Sequence, residues 1–105
     1  MTPQELFDKM HFIPATQLPD DYRKAAYTVA QRHSGTAGVL DLNDFDVAFQ
    51  RQGAFTLCLL QWDGGETTIS GVAKRNCTID KADNPQRGQV IALNQAVRNW
   101  LGEDA

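Results

Sequence analysis

The sequence is poor in the residues that build metal centres, disulfide frameworks and nucleophilic sites. It holds two cysteines and two histidines in 105 residues. Cys58 and Cys77 fall in no CxxC or zinc-finger spacing, so they read as free thiols in a reducing cytoplasm. His11, His33, Cys58 and Cys77 supply four ligands arithmetically, but separations of 22, 25 and 19 residues lack the closely spaced pairs of structural zinc sites. No P-loop, GxGxxG, HExxH or GxSxG motif is present, so no cofactor and no catalytic residue is assigned. No stretch approaches the roughly 18 apolar residues of a membrane-spanning helix. The opening Met1-Thr2-Pro3-Gln4-Glu5 is acidic and polar where a secretory signal is basic and then apolar. A cytoplasmic location without a membrane partner is expected. A strong basic excess is also lacking: the net charge is −3 and the pI about 5.1, which argues against a protein that coats nucleic acid.

What is present describes one soluble globular domain spanning residues 1–105, with 42% hydrophobic and 22% charged residues. The charge is unevenly spread. Residues 1–65 carry five Lys/Arg against eight Asp/Glu, whereas residues 66–105 carry five of each. The acidity therefore belongs to the first two thirds of the chain.

Thr2-Pro3-Gln4-Glu5 has the form of a capping box with proline at the first helical position. It predicts a short helix through about Met10, with Leu6, Phe7 and Met10 as its apolar side. Pro14 and Pro19 bracket a connector. A second helix is predicted from Pro19 or Asp20, with two aspartates at its positive end, to Arg32 or His33, where Ser34-Gly35 stops it. The hydrophobic period then falls to two. Phe45, Val47 and Phe49 alternate with Asp44, Asp46 and Ala48, predicting a half-buried strand that ends near Gly53. Residues 54–62 are apolar at nearly every position, as in a central strand. Asp63-Gly64-Gly65-Glu66 signals a hairpin, and residues 67–74 return as a third strand. Asn84-Pro85 opens a last helix whose stripe is Val90, Leu93, Val97 and Trp100, widened by Ile91, Ala96 and Leu101. The expected fold is α+β, a three-stranded antiparallel meander with helices packed on one face, in the order α-α-β-β-β-α.

Asp41, Asp44 and Asp46, with Asp20, Asp21 and Asp63, offer an acidic surface to a basic protein partner; taken singly, each aspartate also serves solubility. The run Asp41-Leu42-Asn43-Asp44-Phe45-Asp46 is no calcium loop, because the glycine and terminal glutamate of an EF-hand are missing. Lys74, Arg75, Lys81 and Arg87 fall within 14 residues, at the end of the third strand, the following loop and the start of the last helix. Cations beside a helix N-terminus form a nucleic-acid-binding candidate, although Asp80 and Asp83 dilute it. Cys77, near Lys74, Arg75 and Lys81, is the better thiol for nucleophilic chemistry. Cys58, in an apolar strand, reads as core. Glycines at 71 and 88 are placed to let helix and strand approach closely.

Gly71-Val72-Ala73-Lys74, then Asp80-Lys81, Asn84, Gly88 and Ile91-Ala92-Leu93, resembles a pattern in small phage and prophage proteins. There a strand ending in G-x-A-K leads through a D-K loop to a helix reading I-A-L-x-x-A. Proteins of this kind, including a mycobacterial dormancy-associated family, have a fold like the double-stranded-RNA-binding domain. The resemblance covers roughly residues 54–101. This chain departs from it at Cys77-Thr78-Ile79, where proline usually precedes the acidic residue, and its last helix is less basic than that of an RNA binder.

The resemblance implies a small, non-enzymatic accessory protein whose partner is a host protein or complex, such as a nucleic-acid-handling defence complex of the CRISPR type. The alternative is a nucleic-acid-binding module using Lys74, Arg75, Lys81 and Arg87. A homodimer through the open face of the sheet is expected if Trp62, Leu60 and Cys58 lie on that face. The apolar strand 54–62 does not itself say which face is open.

Overall fold

The computed structural model describes residues 3–8, 12–32, 42–62, 67–74 and 85–101. Helix α1 covers Pro3–Asp8, and a two-residue strand β1, Ile13–Pro14, follows. A 3-10 turn at Ala15–Gln17 leads to helix α2, Asp20–Arg32. A second 3-10 turn, Leu42–Asp44, precedes β2 (Asp46–Gln52), β3 (Phe55–Trp62) and β4 (Thr67–Lys74). Helix α3, Pro85–Trp100, closes the fold.

The class is α+β, but the sheet has four antiparallel strands in the order β1-β2-β3-β4. The expected three-stranded sheet and the order α-α-β-β-β-α are therefore corrected to α-β-α-β-β-β-α. The added strand is short for a physical reason. Ile13 pairs with Val47 and Pro14 with Asp46, and Pro14 has no amide hydrogen with which to extend the ladder. The backbone then turns in, and the Ala15 N–H donates to the Phe45 carbonyl at 2.9 Å. Two residues carry no readable period, so the strand is invisible to a pattern search.

Local chemistry sets the other boundaries. The carbonyl of Pro19 accepts from the amides of Tyr22 and Arg23, which starts the α2 ladder one residue after a proline that cannot donate. Asp20 pairs with Arg23 one turn on, and Arg23 Nε also donates to the Leu18 carbonyl. Between β2 and β3 the turn is Gly53-Ala54, and Gly53 has φ +58°, a left-handed conformation that other residues adopt only with strain.

The core lies between one face of the sheet and the helices. Val47 and Phe49 from β2, Cys58 and Leu60 from β3 and Ala73 from β4 are buried there. Tyr22, Ala26 and Ala30 of α2 and Ala92, Leu93, Ala96 and Val97 of α3 complete it. Full burial of a side chain such as Leu60 or Leu93 contributes about 1.5–3 kcal/mol. Phe45 packs edge-on against Trp100, centroids 5.3 Å apart, and against Trp62 at 5.6 Å.

Two features of α3 differ from its predicted stripe. Ile91 is 46% exposed, and Gln89 is fully buried. Gln89 is tolerated because the Tyr22 hydroxyl donates to its Oε1, which satisfies a polar group that would otherwise be stranded. Desolvation pushes the Tyr22 hydroxyl up to about 12.

Glycine sets how closely α3 approaches the sheet. A Cβ on Gly71 would lie 2.2 Å from the Ala96 backbone nitrogen and 2.3 Å from the Ala92 carbonyl oxygen. One on Gly88 would meet Thr56 Oγ1 at 2.8 Å. Helix α3 thus begins over β3, and its backbone rests directly on β4.

Candidate interaction surface

Residue parity in β3 divides the sheet into two faces. Thr56, Cys58 and Leu60 are buried beneath the helices, and Trp62 is half-buried against Phe45. Phe55, Leu57, Leu59 and Gln61 therefore point the other way. The expectation of a dimer seated on Trp62, Leu60 and Cys58 loses its premise, because these side chains fill the core. The open face carries a different apolar group. Phe55 and Val72 are each 48% exposed, and Leu57, which pairs with Val72, lies half-buried between them. Gln50 and Gln52 of β2 join these three around a shallow depression of about 270 Å³. Lys74, directly across from Phe55, holds its ammonium 5.8 Å from the Phe55 ring centre, a cation–π distance.

The outer edge of β4 adjoins this face. Among the described residues no strand pairs with that side of β4. At Ser70 the backbone carbonyl accepts from Asn99 Nδ2 at 2.7 Å, so the end of α3 reaches over one point of the edge. In an antiparallel ladder alternate residues turn both their backbone groups to the same side. The Ser70 carbonyl faces Asn99 rather than β3, and Val72 and Lys74 share that orientation.

The sequence-derived site residues separate on this frame. Asp46 sits at the start of β2 and is exposed. Asp44 is exposed too, but in the 3-10 turn rather than on the wet face of the strand; the strand begins two residues later than the alternation predicts, at Asp46. Asp41 and Asp63 lie outside the described residues. Lys74 ends β4 and Arg87 lies in the first turn of α3, both exposed. Arg75 and Lys81 lie outside the described residues, as do His11, His33 and Cys77. Cys58 is fully buried, and burial pushes its thiol up, consistent with its reading as core. Among the described residues no three His, Cys, Asp or Glu converge where they could hold a metal ion, and no helix is long and apolar enough to cross a membrane.

Phe55, Val72, Gln50 and Gln52 were not singled out from the sequence. Their signal was present as parity alone: once Cys58 is placed inward, residues 55 and 57 must face outward. No protein-family model, curated protein or solved structure matches this chain. The surface defines the chain only as an α+β domain with a helix-covered face and an open one.

Proposed function

We propose that this chain is a small, non-enzymatic accessory protein of the phage or prophage type that acts by binding a host protein. The observation that supports this best is the open sheet face, where Phe55 and Val72 remain half-exposed although α1, α2 and α3 already enclose a filled core. Large apolar groups exposed beside one another are the usual seed of a protein contact. The target class, a nucleic-acid-handling defence complex, rests on the resemblance of residues 54–101 alone. Affinity capture from host lysate with the wild-type chain, and in parallel with Phe55→Ser/Val72→Ser, tests the reading. A stoichiometric partner that the double variant loses supports it. No partner for the wild type refutes it.

A second reading, a nucleic-acid-binding module, is favoured by the exposure of Lys74 and Arg87 near one end of the sheet. If Lys74, Arg75, Lys81 and Arg87 all reach phosphates, log affinity for a duplex falls against log salt with a slope of about −3 to −4. No mobility shift on duplex DNA or RNA at low salt eliminates it.

A further inference from the structure

We infer that the outer edge of β4, with which no described strand pairs, is a docking site for an acidic, extended protein segment, which adds as a further strand beside Val72–Lys74. This rests on the protein-binding reading above and names its surface and the chemistry of its partner.

Four observations converge on the edge. First, Val72 and Lys74 direct their backbone N–H and C=O groups to the side that β3 leaves free, an array that an extended chain satisfies by forming a ladder. Second, beyond the Asn99 contact at Ser70, the strand's own residues supply few of the usual guards. Residues 67–74 contain no proline, and their one charge is the terminal Lys74. Third, the sheet flank of the seat is apolar. Alternate residues of an added strand would lie next to Val72, which borders the Phe55 depression. The others would face the side of α3 that carries Gln95 and Asn99, where Gln95 donates to Asn99 and Asn99 to the Ser70 carbonyl. The α3 cation follows from helical geometry: residues nine apart lie on opposite sides of a helix with about 3.6 residues per turn. Gln89 faces Tyr22 in the core, so Arg98 is turned outward, one residue before the Asn99 that reaches Ser70.

The fourth observation is charge. Strand β4 and helix α3 contain Lys74, Arg87 and Arg98 and no carboxylate, although the whole chain is net −3. Glu5, Asp8, Asp20, Asp21, Asp44 and Asp46 all belong to the elements before β3. Among the described residues of β4 and α3 every charge is positive, so an acidic segment meets opposite charge there and a basic one does not. A nucleic acid would meet the same cations but cannot pair with the strand backbone in a β ladder.

The test uses the intact protein and a fluorescein-labelled eight-residue peptide of alternating Val and Glu, read by fluorescence anisotropy. Three comparison probes are the Val/Lys peptide, the Val/Glu peptide N-methylated at alternate residues, and a single-stranded oligonucleotide of eight nucleotides. The expected result is saturable binding of the Val/Glu peptide and none of the Val/Lys peptide. N-methylation on the pairing side should abolish binding, because it removes the backbone donors. Lys74→Glu/Arg98→Glu should weaken binding about tenfold, the order expected from reversing two exposed charges, with an unchanged melting temperature showing that the fold survives. The inference is overturned if the Val/Glu peptide does not bind, if N-methylation leaves its binding intact, or if the oligonucleotide alone binds and the charge variant releases it. Failure here is distinct from failure of the functional reading. A lysate partner retained by Lys74→Glu/Arg98→Glu and lost by Phe55→Ser/Val72→Ser would sink the edge and leave the open face standing.

Discussion

Replacing Gly71 by alanine adds one carbon atom in a place bounded by backbone on both sides. The new Cβ would lie 2.2 Å from the Ala96 nitrogen, 2.3 Å from the Ala92 oxygen and 2.8 Å from the Ala96 Cα. Ordinary contacts begin near 3.4 Å, so α3 must retreat by about 1.2 Å, enough to forfeit roughly half of each dispersion contact along its seam. The residues on that seam, Ala92, Leu93, Ala96 and Val97, are all fully buried. Overpacking typically costs about 1–3 kcal/mol; with backbone as the obstacle and no side chain free to swing aside, the expected loss is at least about 3 kcal/mol. That lowers the melting temperature by about 12–24 °C in a domain of this size. Trp100 and Trp62 share the Phe45 ring, so intrinsic fluorescence during urea unfolding reports the docking of α3 directly. Gly88→Ala is the internal control. Its Cβ meets a side-chain hydroxyl, Thr56 Oγ1, and the gain in helix propensity, about 1 kcal/mol, offsets the displacement. Its net effect should stay within about 1 kcal/mol, whereas Gly88→Leu should destabilise. A Gly71→Ala protein within about 0.5 kcal/mol of wild type, or one no worse than Gly88→Ala, would refute the reasoning.

Three further outcomes can be checked on the same protein. Gly53→Ala should lose about 1–2 kcal/mol in urea unfolding although its Cβ touches nothing, because φ +58° strains any residue with a Cβ. Tyr22→Phe removes the donor to buried Gln89 Oε1 and should destabilise by about 1–3 kcal/mol at neutral pH. The native Tyr22 pKa is raised from 10 to about 12, so its contribution is intact below pH 10 and is lost as the pH climbs from 10 to 12. Stability of wild type relative to Tyr22→Phe, followed by circular dichroism, should fall in that window and nowhere below it. Cys58, fully buried with its thiol pushed up, should resist iodoacetamide in the native protein and react after denaturation; peptide mass mapping that finds it alkylated under native conditions contradicts its placement.

Much of the frame was legible because its signals are local. Proline and two aspartates mark the start of α2, which runs Asp20–Arg32 within the predicted limits. Strand β4 occupies residues 67–74 as predicted, since Thr, Ile and Val recur in the stretch that follows Gly64-Gly65. What could not be read depends on partners distant in sequence. β1 exists only because Val47 and Asp46 are there to pair with it. Gln89 is core only because Tyr22, 67 positions away, supplies its hydrogen bond. The candidate site was obscured for a related reason. Residues 55–62 are apolar on both faces, so neither parity is disfavoured by transfer energy, and only the helix resting on Gly71 decides which face is covered.

That decision also changes what the net charge means. The molecule measures 37 × 27 × 23 Å, while at physiological salt charges are screened over about 8 Å. A ligand at the β4 edge therefore responds to Lys74 and Arg98 and hardly at all to Asp20 or Asp21. An overall charge of −3 excludes an anionic partner only if the charge is smeared evenly, and it is not. By the same physics, salt weakens an acidic peptide and a nucleic acid alike at this edge, so a salt slope cannot tell them apart. Backbone pairing can. Only a peptide offers N–H groups at the spacing of a neighbouring strand, and only a peptide loses its grip when those groups are methylated.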